Sequence, residues 1–117
     1  MKAVLVALLL LVAVPAAAQQ PVANPTRIEF NHTDHAQTDS YVVGYYTSDT
    51  APAPLQESPL PKPATCAPCA GLLPSRPTAF GLYWVAVRAV AGALSSAWSN
   101  RVPFDRVPVE PTALVVR

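Results

Sequence analysis

The sequence predicts an all-β sandwich, and three observations carry that expectation. Tyr83, Val85, Val87 and Ala89 alternate with Trp84, Ala86, Arg88 and Val90, the pattern of a strand with two different faces. Tyr41-Val-Val-Gly-Tyr-Tyr46 concentrates aromatic and β-branched residues, which suit a pleated, half-buried surface. Outside residues 3–14 no segment shows a helical apolar period, and several short strand patterns separated by turn residues are the sequence form of a sandwich.

Residues 1–18 read as a secretory signal. Lys2 forms a positive start, and Ala3–Val14 supply an apolar run of about a dozen residues, the length of a signal core. Pro15 breaks the helix, and Ala16-Ala17-Ala18 offers small residues for cleavage before Gln19. Spanning a bilayer takes about 20 apolar residues, so an uncleaved anchor is disfavoured. Gln19, not Cys, stands directly after the cleavage point, which argues against a lipid anchor. The expected location is secreted or periplasmic.

Residues 19–25 read as an extended lead-in and 26–106 as one small domain. Thr26–His32 alternates, with Ile28, Phe30 and His32 on one face, as in a half-buried strand. Thr33–Ser40 is polar and reads as a loop. Residues 51–77 hold eight prolines, at 52, 54, 59, 61, 63, 68, 74 and 77. Proline cannot donate to a sheet ladder, so only edge strands and extended connections are expected there. Ordered edge structure is expected near Leu72-Leu73 and a mobile tip at 51–63. Gly92 marks a turn, a further strand is expected from Trp98 towards Phe104, and 107–117 reads as a frayed tail.

Lys2 apart, seven basic residues balance seven acidic ones, and neither set is clustered. A neutral domain has no electrostatic footprint for nucleic acid or an anionic membrane. The few acids, isolated from one another, do not pair as a carboxylate site would require. There is no nucleophile elbow and no Gly-rich phosphate loop. No enzymatic activity is expected.

Tyr41-x-Val43-x-Tyr45 resembles strand C of a fibronectin type III domain, and Tyr83–Ala89 with Trp98-Ser99-Asn100 resembles strands F and G. The resemblance covers about residues 24–106 and implies an immunoglobulin-like sandwich. In that family Tyr83 would be the tyrosine corner, a core ring whose hydroxyl bonds the backbone upstream. Tyr41 and Tyr83 are thus structural residues. His32 stands where the family carries Trp, and the proline-rich middle has no family counterpart.

Cys66-Ala-Pro-Cys69 is the sharpest local motif. In an oxidising compartment two cysteines most simply form a disulfide, here closing a short loop with modest stabilisation. A redox role would need a helix N-terminus to lower a thiol pKa, which these flanks do not promise. A c-type haem would need His directly after Cys69, where Ala70 stands. His32-Thr-Asp-His35 adds two ligands, and two Cys with two His suit tetrahedral zinc. Zinc would compete with the disulfide. The simpler expectation is His32 in the core, His35 solvated, and no metal or cofactor.

With Tyr83, Val85 and Val87 inward, Trp84 and Arg88 point outward, and Trp98 is expected beside Arg88, where a guanidinium over an indole is favourable. Ser95-Ser-Ala-Trp-Ser99 resembles the second half of the cytokine-receptor Trp-Ser-x-Trp-Ser box, with Ser95 in place of the first Trp; the resemblance implies a structural ladder with Arg side chains. Trp84 is the stronger partner-binding candidate, since exposed Trp is enriched at binding hot spots. Asn31-His-Thr33 is a glycosylation sequon, relevant only in a eukaryotic host.

The expected function is a secreted, non-enzymatic binding or adhesion module. It would act on extracellular protein or polysaccharide through Trp84, Arg88 and Trp98, without nucleic acid and without membrane insertion after signal cleavage. Two other readings stay open. One is a small zinc or thiol-redox protein using His32, His35, Cys66 and Cys69. The other is a structural spacer in a surface assembly.

Overall fold

Strand formation follows the alternation of apolar and polar residues. The computed structural model describes residues 20–117, so the expected signal at 1–18 lies outside the described residues. Eight strands form among the described residues: β1 (Val22–Ala23), β2 (Arg27–Phe30), β3 (Ser40–Tyr46), β4 (Gln56–Leu60), β5 (Cys69–Leu72), β6 (Gly81–Ala91), β7 (Leu94–Ser95) and β8 (Val102–Arg106). A 3-10 turn, His35–Gln37, lies between β2 and β3. The larger sheet has the order β1-β8-β6-β3-β4, with β7 also on β6, while β2 and β5 form a separate antiparallel pair. The fold is an all-β, sandwich-like arrangement of unequal sheets.

The inward faces of β3 and β6 supply the core. Tyr41, Val43, Tyr45, Leu60, Tyr83, Val87 and Phe104 form one buried cluster, and Ile28, Phe30 and Leu73 close on it from the smaller sheet. Tyr41 pairs with Ala89, Val43 with Val87 and Tyr45 with Val85 across β3 and β6. That register puts every second residue of each strand inside. Gly71 brings β5 close to β4, since an added Cβ would lie 3.2 Å from the Leu60 side chain. Two of the buried tyrosines also find backbone partners, as amphipathic rings usually do. The Tyr83 hydroxyl donates to the Ala79 carbonyl at 2.9 Å, and the Tyr45 hydroxyl donates to that of Pro74.

Several segments depart from the sequence expectation. Residues 51–63, expected as a mobile tip, contain β4, paired with β3 from Tyr41↔Leu60 to Tyr45↔Gln56. Pro59 is compatible with this because β4 is an edge strand, where one missing N–H need not break a ladder. The strand expected from Trp98 begins only at Val102; Ser96–Asn100 follows the edge of β6 without strand geometry. The extended lead-in contains β1, which runs parallel to β8. Gly92 has a φ of +60°, as the first central residue of a tight II′ hairpin turn requires, and joins β6 to β7. Residues 107–117 carry no regular element and are exposed.

Burial raises the pKa of Tyr41, Tyr45 and Tyr46 above the ordinary tyrosine value. Folding therefore holds these phenols protonated where the unfolded chain releases the proton, so their contribution is complete below a pH of about 10 and is lost above it. Alkaline titration should show unfolding and tyrosinate absorbance rising together. Tyrosinate appearing fully before any loss of circular dichroism would contradict the burial. Tyr83→Phe should cost about 0.5–1.5 kcal/mol in denaturant unfolding, the usual net value of one internal hydrogen bond.

Candidate functional site

Three places on the molecule concentrate chemistry-bearing residues. The first is the outer face of the larger sheet. Trp84, Ala86 and Arg88 on β6 share this face with Gly44 and Tyr46 on β3, since Gly44 pairs with Ala86 and Tyr46 with Trp84. Trp98 lies across it. Its indole would meet a Cβ at Gly44 within 2.9 Å, so the absent side chain is what lets the ring lie flat on the sheet. The Arg88 guanidinium sits 4.5 Å from the Trp98 ring centre, and that of Arg101 sits 3.7 Å from the Tyr46 ring. Tyr46 and Trp98 meet edge to face at 6.0 Å. The result is a continuous stack, Arg88–Trp98–Tyr46–Arg101. Arg88 also pairs with Glu57 on β4 at 2.9 Å, a partly exposed bridge of small worth by itself. Glu57 thus belongs to a strand and to an ion pair, where the sequence suggested only isolated acids.

The backbone of Ser96–Asn100 is held by a repeated device. The Ser96 N–H donates to the Ala89 carbonyl, and the Ala89 N–H donates to Ser96 Oγ, both at 2.9 Å. Three residues later Ser99 does the same with Val87, at 2.9 and 3.0 Å. Each serine replaces a missing carbonyl acceptor with its hydroxyl, so β6 keeps its edge bonds satisfied while the chain lifts Trp98 over the outer face. The Trp-Ser resemblance placed these residues but not this bonding. Trp98 and Arg88 are therefore occupied within the molecule. Trp84 is half-buried rather than exposed, flanked in register by Tyr46 and Pro103.

The second place surrounds Tyr41. His35, expected in solvent, is half-buried and stacked on the Tyr41 ring at 5.9 Å. Its Nδ1 lies 2.7 Å from the Tyr41 hydroxyl and its Nε2 lies 2.9 Å from the Pro63 carbonyl. The 3-10 turn carries it there, because the loop after β2 must reverse before β3. His32 meets the same ring edge-on at 5.6 Å, with Nδ1 3.1 Å from the hydroxyl. Cys66 and Cys69 form a disulfide. His35 Nδ1 is 3.9 Å from Cys69 Sγ, and the ligand atoms of His35, Cys66 and Cys69 lie within 4.8 Å of one another. His32 does not join that group, though its backbone carbonyl lies 3.8 Å from Cys66 Sγ.

The third place was not found by sequence reasoning. A cleft of about 700 Å³ lies between β2 and the inner face of β6 and β8, within the roughly 300–1,000 Å³ of typical ligand sites. Ile28, Phe30, Val85, Val87, Ala89 and Phe104 line it, and Ser96, Ala97, Ser99 and Asn100 stand at its rim. Among the described residues β2 bonds only to β5, and its other edge faces this cleft with no described strand beside it. The signal available in the sequence was the shortage of strand patterns for a second full sheet.

No family model, curated protein or solved structure matches the chain. Function is therefore read from these three places alone.

Gly44→Ala should displace Trp98 and cost about 1–3 kcal/mol, the usual penalty for overpacking. Denaturant unfolding followed by tryptophan fluorescence checks this. Unchanged stability with an unchanged Trp98 environment would mean that the ring does not rest on Gly44.

Proposed function

We propose that the chain is a non-enzymatic binding module of the fibronectin type III kind, acting outside the cytoplasm. It would capture an extended segment of a partner protein along the free edge of β2. The single observation that carries this reading is the apolar cleft beside an unpaired strand edge. Main-chain bonds to such an edge supply affinity, and alternate side chains entering an apolar floor supply selectivity. The fibronectin-like reading is supported by the Tyr83–Ala79 bond and by a separate β2–β5 pair facing the sheet that contains β4, β3, β6 and β8 in spatial order.

A polysaccharide partner would need a flat, open aromatic platform. Trp98 is covered by Arg88, and Trp84 is half-buried. A peptide fits the cleft better. An adhesion role through the outer face is weaker for the same reason, because Trp98 and Arg88 are already engaged in holding the sheet.

A displayed library of random peptides, selected on the wild-type protein, tests this reading. Selected sequences should alternate apolar residues and should bind Ala97→Arg at least about 10-fold more weakly, since one blocked anchor of a small interface is worth that much. Binding to Trp84→Ala should be unchanged. Loss on Trp84→Ala with retention on Ala97→Arg would move the site to the outer face. Capture of glycans with no selected peptide would replace the partner class.

A further inference from the structure

We propose that the Cys66–Cys69 loop is a reduction-gated zinc site completed by His35. This proposal does not rest on the binding reading: its three ligands do not line the cleft, although His32 and Tyr41 beside them do.

The spacing and positions suit a metal. A Cys-x-x-Cys pair is a common zinc half-site, and zinc takes sulfur at about 2.3 Å and imidazole nitrogen at about 2.0 Å. Tetrahedral bonds of those lengths put ligand atoms roughly 3.5–3.8 Å apart. His35 Nδ1 already stands 3.9 Å from Cys69 Sγ. All three ligand atoms fall within 4.8 Å of one another. Adjustments of Cys66 and of the turn at Ala67-Pro68 would therefore complete the geometry once the sulfurs part.

The second observation concerns the imidazole. Metal-binding histidines usually donate their other ring N–H to a carbonyl or carboxylate, which fixes the tautomer. His35 Nε2 lies 2.9 Å from the Pro63 carbonyl, which can only accept. Nε2 therefore carries the proton, and Nδ1 presents its lone pair on the side facing the sulfurs. With the disulfide closed, that lone pair accepts the Tyr41 hydroxyl proton at 2.7 Å. His32 then fits as a donor through its own Nδ1–H to the same oxygen at 3.1 Å. Stacking on Tyr41 holds the His35 ring in place. The site is built, half-buried and one reduction step from three ligands, with a fourth position left to water.

The chemistry balances in two steps. A dithiol reductant gives two electrons and two protons to the Cys66–Cys69 bond, which becomes two thiols while the reductant closes its own disulfide. Zinc then binds and releases both thiol protons, since thiolate is the ligand. Exchange with a disulfide oxidant, which takes the two electrons and is itself reduced to two thiols, re-forms the Cys66–Cys69 bond and expels the metal. The Tyr41 hydroxyl is the competitor for Nδ1 and turns back to His35 when the metal leaves.

Cobalt(II), a spectroscopic stand-in for zinc, tests this on the full chain, oxidised and after anaerobic reduction with a phosphine. The reduced protein should bind one cobalt with thiolate charge-transfer and tetrahedral ligand-field absorption, displaceable by zinc. The oxidised protein should show neither band. His35→Ala, with circular dichroism unchanged, should weaken binding by at least about 10-fold. Tyr41→Phe keeps the stacking ring and removes the competing hydroxyl, so it should tighten binding. No tetrahedral spectrum in the reduced wild type would overturn the proposal. So would equal affinity in His35→Ala, which would leave only a thiolate pair, or equal or weaker affinity in Tyr41→Phe.

Discussion

The structure depends on a mismatch between its two sheets. Six strands contribute to one sheet and two to the other, so the apolar inner face of β6 and β8 is wider than the pair that covers it. Burial of that face is the main favourable term available to a chain of this size. Tyr41, Val43 and Tyr45 meet Phe30, Leu60 and Phe104 and complete a core, but the cover stops at β2. Cleft, free edge and functional reading all follow from where that cover ends.

Tyr41 ties the core to the chemistry. Its ring is buried, packs edge to face on Phe30 at 4.8 Å and lies against both histidines. Its hydroxyl lies where two imidazoles and a cysteine pair converge. A residue that the strand pattern assigns to packing thus also organises the polar cluster above it. The outer face has a comparable economy. Gly44 and two serines allow Trp98 to cross the sheet, and four side chains stack without a hydrogen bond to Arg88 Nε or the Tyr46 hydroxyl among the described residues.

Much of the fold was legible in the sequence because period-two alternation is imposed by the same pleat that sets the core face. β2, β3 and β6 fall on the patterns at Thr26–His32, Tyr41–Tyr46 and Tyr83–Val90, with β2 shorter than its pattern and β6 slightly longer. β4 was not legible, since its Pro59 masks an edge strand whose pairing is decided by β3. The start of β8 was also hidden: Trp98-Ser99-Asn100 has strand-like composition, but serine hydroxyls take the place of the ladder there. Parity put Arg88 on the outer face, but Trp98 reaches it from a segment outside any strand, and Tyr46, Gly44 and Arg101 join through contacts that no local pattern encodes. His35 was misplaced because a polar loop gives no hint that a 3-10 turn folds its ring onto Tyr41. The cleft arises from a missing strand, and a missing element leaves no motif.

Amide hydrogen exchange along β2 tests the central claim most directly, measured for the free protein and with a selected peptide bound. If β2 carries a free edge over the cleft, only amides bonded to β5 among Arg27–Phe30 should be protected in the free protein. The remaining amides should exchange quickly and become protected on binding, with Val85–Ala89 unchanged in the backbone. Uniform protection of β2 in the free protein, or protection on binding that appears only around Trp84 and Arg88, would contradict the account.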